Sequence, residues 1–246
     1  MPKQINSAYR IHKIISSTTN QPPNSPTLGV WATAFDIKES SGTKVGLKVA
    51  QRLDSLLNEL SLMKCQLLKS DFDEETYTTD IQHIELALDP VYFNSTWNSV
   101  TQYLTPVTIK SLLIFSQSLP NEETEITSDE INELFARLSE LENFLENSTL
   151  PDRLIQLIRN HIYLIREALY EYPIAGAKAL IEARRAAYGE IVELKGELKE
   201  NKSVPEIKKH FRILKHFSNI ADGAIRVQGV VEIGKKAVPW LESFLS

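Results

Sequence analysis

Residues 127–145 read TSDEINELFARLSELENFL. Thr127 and Glu130 stand three apart, the spacing at which a hydroxyl and a carboxylate cap each other's backbone N–H groups. Behind them Ile131, Leu134, Phe135, Leu138, Leu141 and Leu145 recur every three or four residues. That spacing gives one apolar face on a helix and none on a strand. The segment therefore predicts a capped helix with a wide core-facing stripe.

The same period extends in both directions. Towards the C-terminus, Pro151 opens a helix where no N–H is needed. Its stripe is Leu154, Ile158, Ile162, Ile165 and Leu169, and Tyr172-Pro173 is expected to end it. Residues 174–200 predict a further helix, with Leu180, Ile191, Leu194 and Leu198 inward. Pro205 opens another, with Ile207, Phe211, Leu214 and Phe217 on one side. Beyond residue 224, Gly229, Gly234 and Pro239 break the pattern before Trp240, Leu241, Phe244 and Leu245.

Towards the N-terminus, the acidic stretch 119–126, LPNEETEI, is the best internal boundary. Residues 107–118, VTIKSLLIFSQS, begin with β-branched residues and allow a strand. Ile109, Leu112, Leu113 and Ser116 fit a helix better. Helices are expected over 91–104, stopped by Thr105-Pro106, and over 76–89, stopped by Asp89-Pro90. Residues 43–70 carry the longest stripe in the first half, from Val49 through Leu53, Leu56, Leu57, Leu60 and Met63 to Leu67. A short helix is expected over 28–37 and another over 4–17. The proline-rich loop 20–27, NQPPNSPT, separates them. The expected fold is all-α, a multi-helix bundle of eight to ten helices. It divides into an N-terminal region, 1–120, and a C-terminal bundle, 121–246, which could also share one core.

The chain has 246 residues, 42% of them hydrophobic, and a single Cys. A chain of this length can bury roughly 70% of the surface its unfolded form exposes. No disulfide or metal is needed to hold its core. Cys65 is expected as a small core or boundary residue, compatible with a reducing cytoplasm. The first fifteen residues show no apolar run of the kind that marks a secretory signal. No stretch of 18 consecutive apolar residues suggests a membrane span. A cytoplasmic location is the expectation.

The net charge of −5 conceals a division. Residues 1–70 hold 9 basic and 4 acidic side chains, residues 71–177 hold 5 and 19, and residues 178–246 hold 13 and 9. So acidic a middle argues against a nucleic-acid groove running through the protein. Basic patches are confined to the two ends.

Several common chemistries fail on spacing. Residues 229–236, GVVEIGKK, resemble a phosphate loop, but Lys236 stands where a Ser or Thr would hold Mg²⁺. The five histidines, His12, His83, His161, His210 and His216, form no HExxH, and one Cys permits no Cys/His zinc site. They are expected at surface or half-buried positions. Ribonucleases of the HEPN family need an Arg with a His five to seven residues later. Arg153 to His161 is eight, Arg159 to His161 two, and Arg212 to His216 four. The carboxylates of 122–146 lack the DxDxDG loop of a calcium site. They read as a solvated face, favourable near a helix N-terminus. Glu190, Glu193, Glu197 and Glu200 likewise read as salt-bridged solvation. No catalytic residue, metal ligand or cofactor site is predicted.

The strongest functional signal is the helix that begins at Pro205. Lys208, Lys209, Arg212 and Lys215 crowd it around the apolar stripe. Such a helix can dock on an acidic partner, an anionic membrane surface or phosphates. The same residues also fit a core-facing helix with a basic outer face. The acidic middle third of a second copy is one candidate partner.

Residues 148–180, STLPDRLIQLIRNHIYLIREALYEYPIAGAKAL, are similar to a segment in a loose group of uncharacterised bacterial all-helical proteins. The shared pattern is Leu150-Pro151, the stripe from Leu154 to Leu169, then Tyr172, Ile174 and Gly176. The resemblance implies a helical fold and a role in bacterial conflict, since members of the group occur among mobile and defence genes. It carries over no catalytic residue. The expected function is a non-enzymatic interaction protein, an adaptor, regulator or accessory subunit with a protein partner or a second copy of itself. The alternatives are a membrane-active effector using the basic helix in peripheral contact and, against the acidic middle, a nucleic-acid binder or nuclease.

Overall fold

The computed structural model describes residues 3–39 and 41–224. The phosphate-loop-like segment and the apolar tail after residue 224 lie outside the described residues. Within them the protein is all-α. Eleven α-helices follow one another: α1 (Ser7–Thr18), α2 (Thr27–Ala34), α3 (Gly42–Leu67), α4 (Thr78–Ala87), α5 (Asn98–Thr101), α6 (Pro106–Ser118), α7 (Ser128–Leu145), α8 (Asp152–Ala175), α9 (Ala177–Glu193), α10 (Lys195–Glu200) and α11 (Pro205–Ala224). Strand content is two segments of two residues, Gln4–Ile5 and Glu123–Thr124. No described helix is long and apolar enough to cross a membrane.

The chain forms two compact units. The N-terminal unit comprises Ile5–Glu122 together with Pro173–Gly176, and the C-terminal unit takes the rest. Each has its own apolar core.

In the N-terminal unit α1 packs against α2, α3 and α6. Asn6 starts it. Its Oδ1 accepts the Tyr9 N–H at 2.9 Å, while its Nδ2 donates to the carbonyls of Ser116 and Leu119 at 3.2 and 3.1 Å. One buried side chain thus satisfies orphan groups at the start of α1 and the end of α6. The ambiguous stretch 107–118 is a helix because Pro106 and the Thr105 cap pre-set its first turn. The proline-rich loop is held by its backbone, with the Trp97 and Asn98 N–H groups donating to the carbonyls of Ser25 and Pro23, each at 2.8 Å. Trp31 and Trp97 meet edge to face beneath it, 5.4 Å between centroids.

Two expected helices are shorter than their patterns. The one expected over 28–37 ends at Ala34. Asp36 adopts φ 51°, and the Asp36 and Ile37 N–H groups turn back to the carbonyls of Thr33 and Ala32. That double bond is a Schellman stop, with Asp where Gly is usual. The segment 91–104 holds a 3₁₀ turn over Pro90–Asn94 and the single-turn α5. Asp89 caps the turn at 2.8 Å, and the next residues bond instead to the proline-rich loop.

In the C-terminal unit the Thr127–Glu130 capping box forms as its spacing requires. α11 packs on α7 and α9. Helix α8 does not stop at Tyr172-Pro173 but runs through Pro173 to Ala175. Pro173 lies on an exposed side, where its missing N–H costs one helix bond. Gly176, at φ 62°, makes the actual break. The buried Glu123 carboxylate then accepts the Ala177 N–H at 2.6 Å and caps α9. Cys65, expected near the core, is exposed: it sits midway between Met63 and Leu67, two positions from either stripe residue.

Candidate functional site

Helix α11 forms because its apolar residues repeat at 3.6-residue spacing behind Pro205 and Glu206. Ile207, Phe211, Leu214 and Phe217 are all buried in the core of the C-terminal unit. The apolar stripe is therefore used up inside the protein. What the helix presents outward is its basic side. Lys208, Arg212 and Lys215 are exposed and, at i, i+4 and i+7, run along one line.

Lys209 differs from its three neighbours. It is half-buried, donates to Glu140 of α7 at 3.0 Å and lies 5.6 Å from the centre of the Phe144 ring. On the same flank of α7, Arg137 forks onto Glu133 at 3.0 and 2.5 Å. The Arg137 hydrogen bond holds the Glu133 carboxyl below the usual carboxylate range. His216 of α11 approaches that carboxylate at 3.8 Å. Lys209 beside Glu140 and His216 beside Glu133 show that α7 and α11 run antiparallel.

Between the two helices lies an open groove of about 860 Å³, walled by Glu133, Arg137, Glu140 and Phe144 on one side and by Lys208 and Arg212 on the other. Among the described residues, Lys208, Arg212 and Lys215 have no acidic partner. Of the four cations that the sequence singles out, one is built into the fold and three are available. An aromatic edge, 46% exposed, stands beside them.

The structure also assembles two buried polar clusters. In the C-terminal unit, His161 of α8 and His210 of α11 are 0% and 1% exposed, not on or near the surface as expected. His161 Nδ1 and His210 Nε2 are 2.8 Å apart, and the rings stack at 5.0 Å. His161 Nε2 faces a Glu190 carboxylate oxygen of α9 at 3.4 Å. One arrangement of protons fits: His161 carries its proton on Nε2, towards Glu190, and Nδ1 accepts from His210 Nε2–H. His210 Nδ1 then keeps a bare lone pair with no partner. Burial drives the His161 pKa down to about 4, against the pull of Glu190. Burial, then His161, pushes His210 well below the ordinary imidazole value.

In the N-terminal unit the buried cluster is charged. Arg10 of α1 bridges Glu59 of α3 and Glu122, the latter at 2.7 Å, and its Nε also donates to the Ile174 carbonyl at 3.2 Å. Ser7 and Gln66 complete the Glu122 carboxylate at 2.9 and 2.6 Å. Burial acts to raise the Glu122 pKa, but Arg10 and Ser7 outweigh it and hold the group below the usual range.

Both clusters were within reach of the periodic pattern. His161 lies three residues after Ile158 and four before Ile165. His210 lies three after Ile207 and four before Leu214. Glu59 has the same relation to Leu56 and Met63. A polar residue on a buried stripe is the available signal. Among the described residues no group of three or more His, Cys, Asp or Glu side chains is placed to hold a metal ion.

The chain matches no family model, no curated protein and no solved structure.

Proposed function

We propose that this chain is a non-enzymatic interaction protein, an adaptor, regulator or accessory subunit that engages a protein partner through the outer edge of α11. The observation that carries the reading is the row Lys208, Arg212 and Lys215. It is exposed and lacks acidic partners among the described residues, on a helix whose apolar face is already buried. Exposed cations contribute little to the fold they sit on. A row of three, beside an exposed Phe144, suits recognition of an acidic surface and electrostatic steering towards it. The resemblance of residues 148–180 to bacterial all-helical proteins supports a setting in bacterial conflict, antiviral defence included.

The test is capture with the full chain at low salt, side by side with a Lys208→Glu/Arg212→Glu/Lys215→Glu variant. The expected result is a stoichiometric protein partner that the triple reversal loses. Equal capture by both proteins, or measured turnover on a nucleotide, nucleic acid or peptide, would overturn the reading. Recovery of the chain with anionic lipid in place of protein would transfer the surface to membrane contact.

A further inference from the structure

Resting on that reading, we infer that the α7–α11 groove takes an acidic α-helix of the partner protein, laid along it as a third helix. Charge gives the sign of the occupant. The groove walls carry four cations, Arg137, Lys208, Lys209 and Arg212, against two carboxylates, Glu133 and Glu140. Each carboxylate already has its own cation, Glu133 in Arg137 and Glu140 in Lys209. Lys208 and Arg212 are left over, and Lys215 extends their exposed row past the groove. The surplus is positive, so an anionic occupant is drawn in and a basic one is rejected.

Spacing gives its shape. Lys208, Arg212 and Lys215 stand at i, i+4 and i+7 on α11, and Glu133, Arg137, Glu140 and Phe144 at i, i+4, i+7 and i+11 on α7. Both walls therefore repeat about every 3.5 residues, the period of a seam that receives another helix. At a rise of about 1.5 Å per residue, Arg212 lies about 6 Å and Lys215 about 10.5 Å along the axis from Lys208. A helix running antiparallel to α11 meets those steps with carboxylates at i, i+3 and i+7, and a parallel one with i, i+4 and i+7. A strand repeats on one face about every 6.7 Å, so its third side chain would overshoot Lys215 by about 3 Å. The apolar contacts fit the same occupant. Ala136 and Phe144 are exposed on the groove side of α7. The small Ala136 admits a close helix, and Phe144 offers an aromatic edge to an apolar residue flanking the acidic row.

The test is fluorescence anisotropy of the full chain with two labelled alanine-rich peptides of identical composition and charge. In the first, Glu stands at i, i+3, i+7 and i+10, which serves both helix directions, with Leu on the flanking positions. In the second, the same residues are permuted so that Glu is spread round the helix. At low salt the first peptide should bind at micromolar concentrations and about tenfold or more tighter than the second. Its binding should weaken as salt rises. Lys208→Glu/Arg212→Glu/Lys215→Glu should abolish the preference, and Phe144→Ala should lower the affinity for the first peptide alone. All four side chains are exposed, and circular dichroism checks that the variants stay folded. Equal binding of both peptides, or of neither, overturns the helical occupant. So does self-association, or binding to phosphatidylglycerol vesicles, through this row in place of the patterned peptide. If a captured protein is still lost on the triple reversal, the adaptor reading stands without the acidic helix. If neither peptide nor captured protein depends on the row, both fall.

Discussion

Two buried polar clusters, one in each unit, follow opposite strategies. The N-terminal unit buries charge and completes it: the Arg10 guanidinium is matched by Glu59 and Glu122 and backed by the Ile174 carbonyl. The C-terminal unit buries imidazoles and keeps them neutral, with one hydrogen bond between His161 and His210 and a lone pair unused. The first arrangement needs every member present. The second needs a proton to stay away. The difference teaches that the units should fail for different reasons and at different pH.

The largest effect should come from breaking the charged cluster. Arg10→Ala removes the guanidinium that bridges the Glu59 and Glu122 carboxylates, which costs about 3–5 kcal/mol. Trp31 and Trp97 are both buried in the N-terminal unit. With Trp240 replaced by Phe, tryptophan fluorescence in urea reports that unit, and its midpoint should fall sharply. An unchanged midpoint would show the cluster to be dispensable.

Acid sharpens the comparison. A histidine whose pKa is depressed by folding binds more protons when unfolded. Its contribution is therefore complete above the ordinary value of 6.5 and is lost as pH falls towards about 4. For His161 the loss is on the order of 3 kcal/mol. Glu122 is also depressed, but from 4.5, so its contribution persists until the pH drops below that. Between pH 6.5 and 4.5 the urea midpoint by far-UV circular dichroism should fall while the tryptophan midpoint holds. Coincident transitions throughout would mean that the units unfold as one. The double variant His161→Leu/His210→Leu removes both partners together, so its cost at pH 7 should stay within about 1 kcal/mol. It should also flatten the acid slope.

The smallest expected effect is at the capping box. Thr127→Ala gives up the bond to the Glu130 N–H and should cost about 1 kcal/mol in the C-terminal unit, seen by circular dichroism and not by tryptophan. Restoring the oxygen with Ser should recover most of it.

How far each feature could be read from the sequence follows the range of its cause. The capping box and the stripes of α3, α7, α8 and α11 are set by neighbours three and four residues away, and a single sequence displays those. The end of α2 is hidden in the sequence because Asp36 takes the left-handed conformation usual for Gly. The end of α8 lies beyond Tyr172-Pro173 because Pro173 falls on an exposed side, where the lost bond is tolerable. Residues 91–104 have a helical pattern, yet their backbone is claimed by the loop seventy residues earlier in the chain. In the candidate surface, the basic character of α11 was legible. That Lys209 alone is tied down was not, because its partner Glu140 is 69 residues away. The imidazole pair and the Arg10 cluster likewise join residues 49 apart. Their positions on buried stripes marked them as anomalies without naming their partners.

The four residues Pro173–Gly176 belong to the N-terminal unit although they lie 51 positions past Glu122. This has a consequence for a chain emerging from the ribosome. When Glu122 has been translated, Ile174, which this core buries, does not yet exist, and neither does the carbonyl that receives Arg10. The unit that is made first cannot be finished first. Its last contacts wait until α8 has been synthesised.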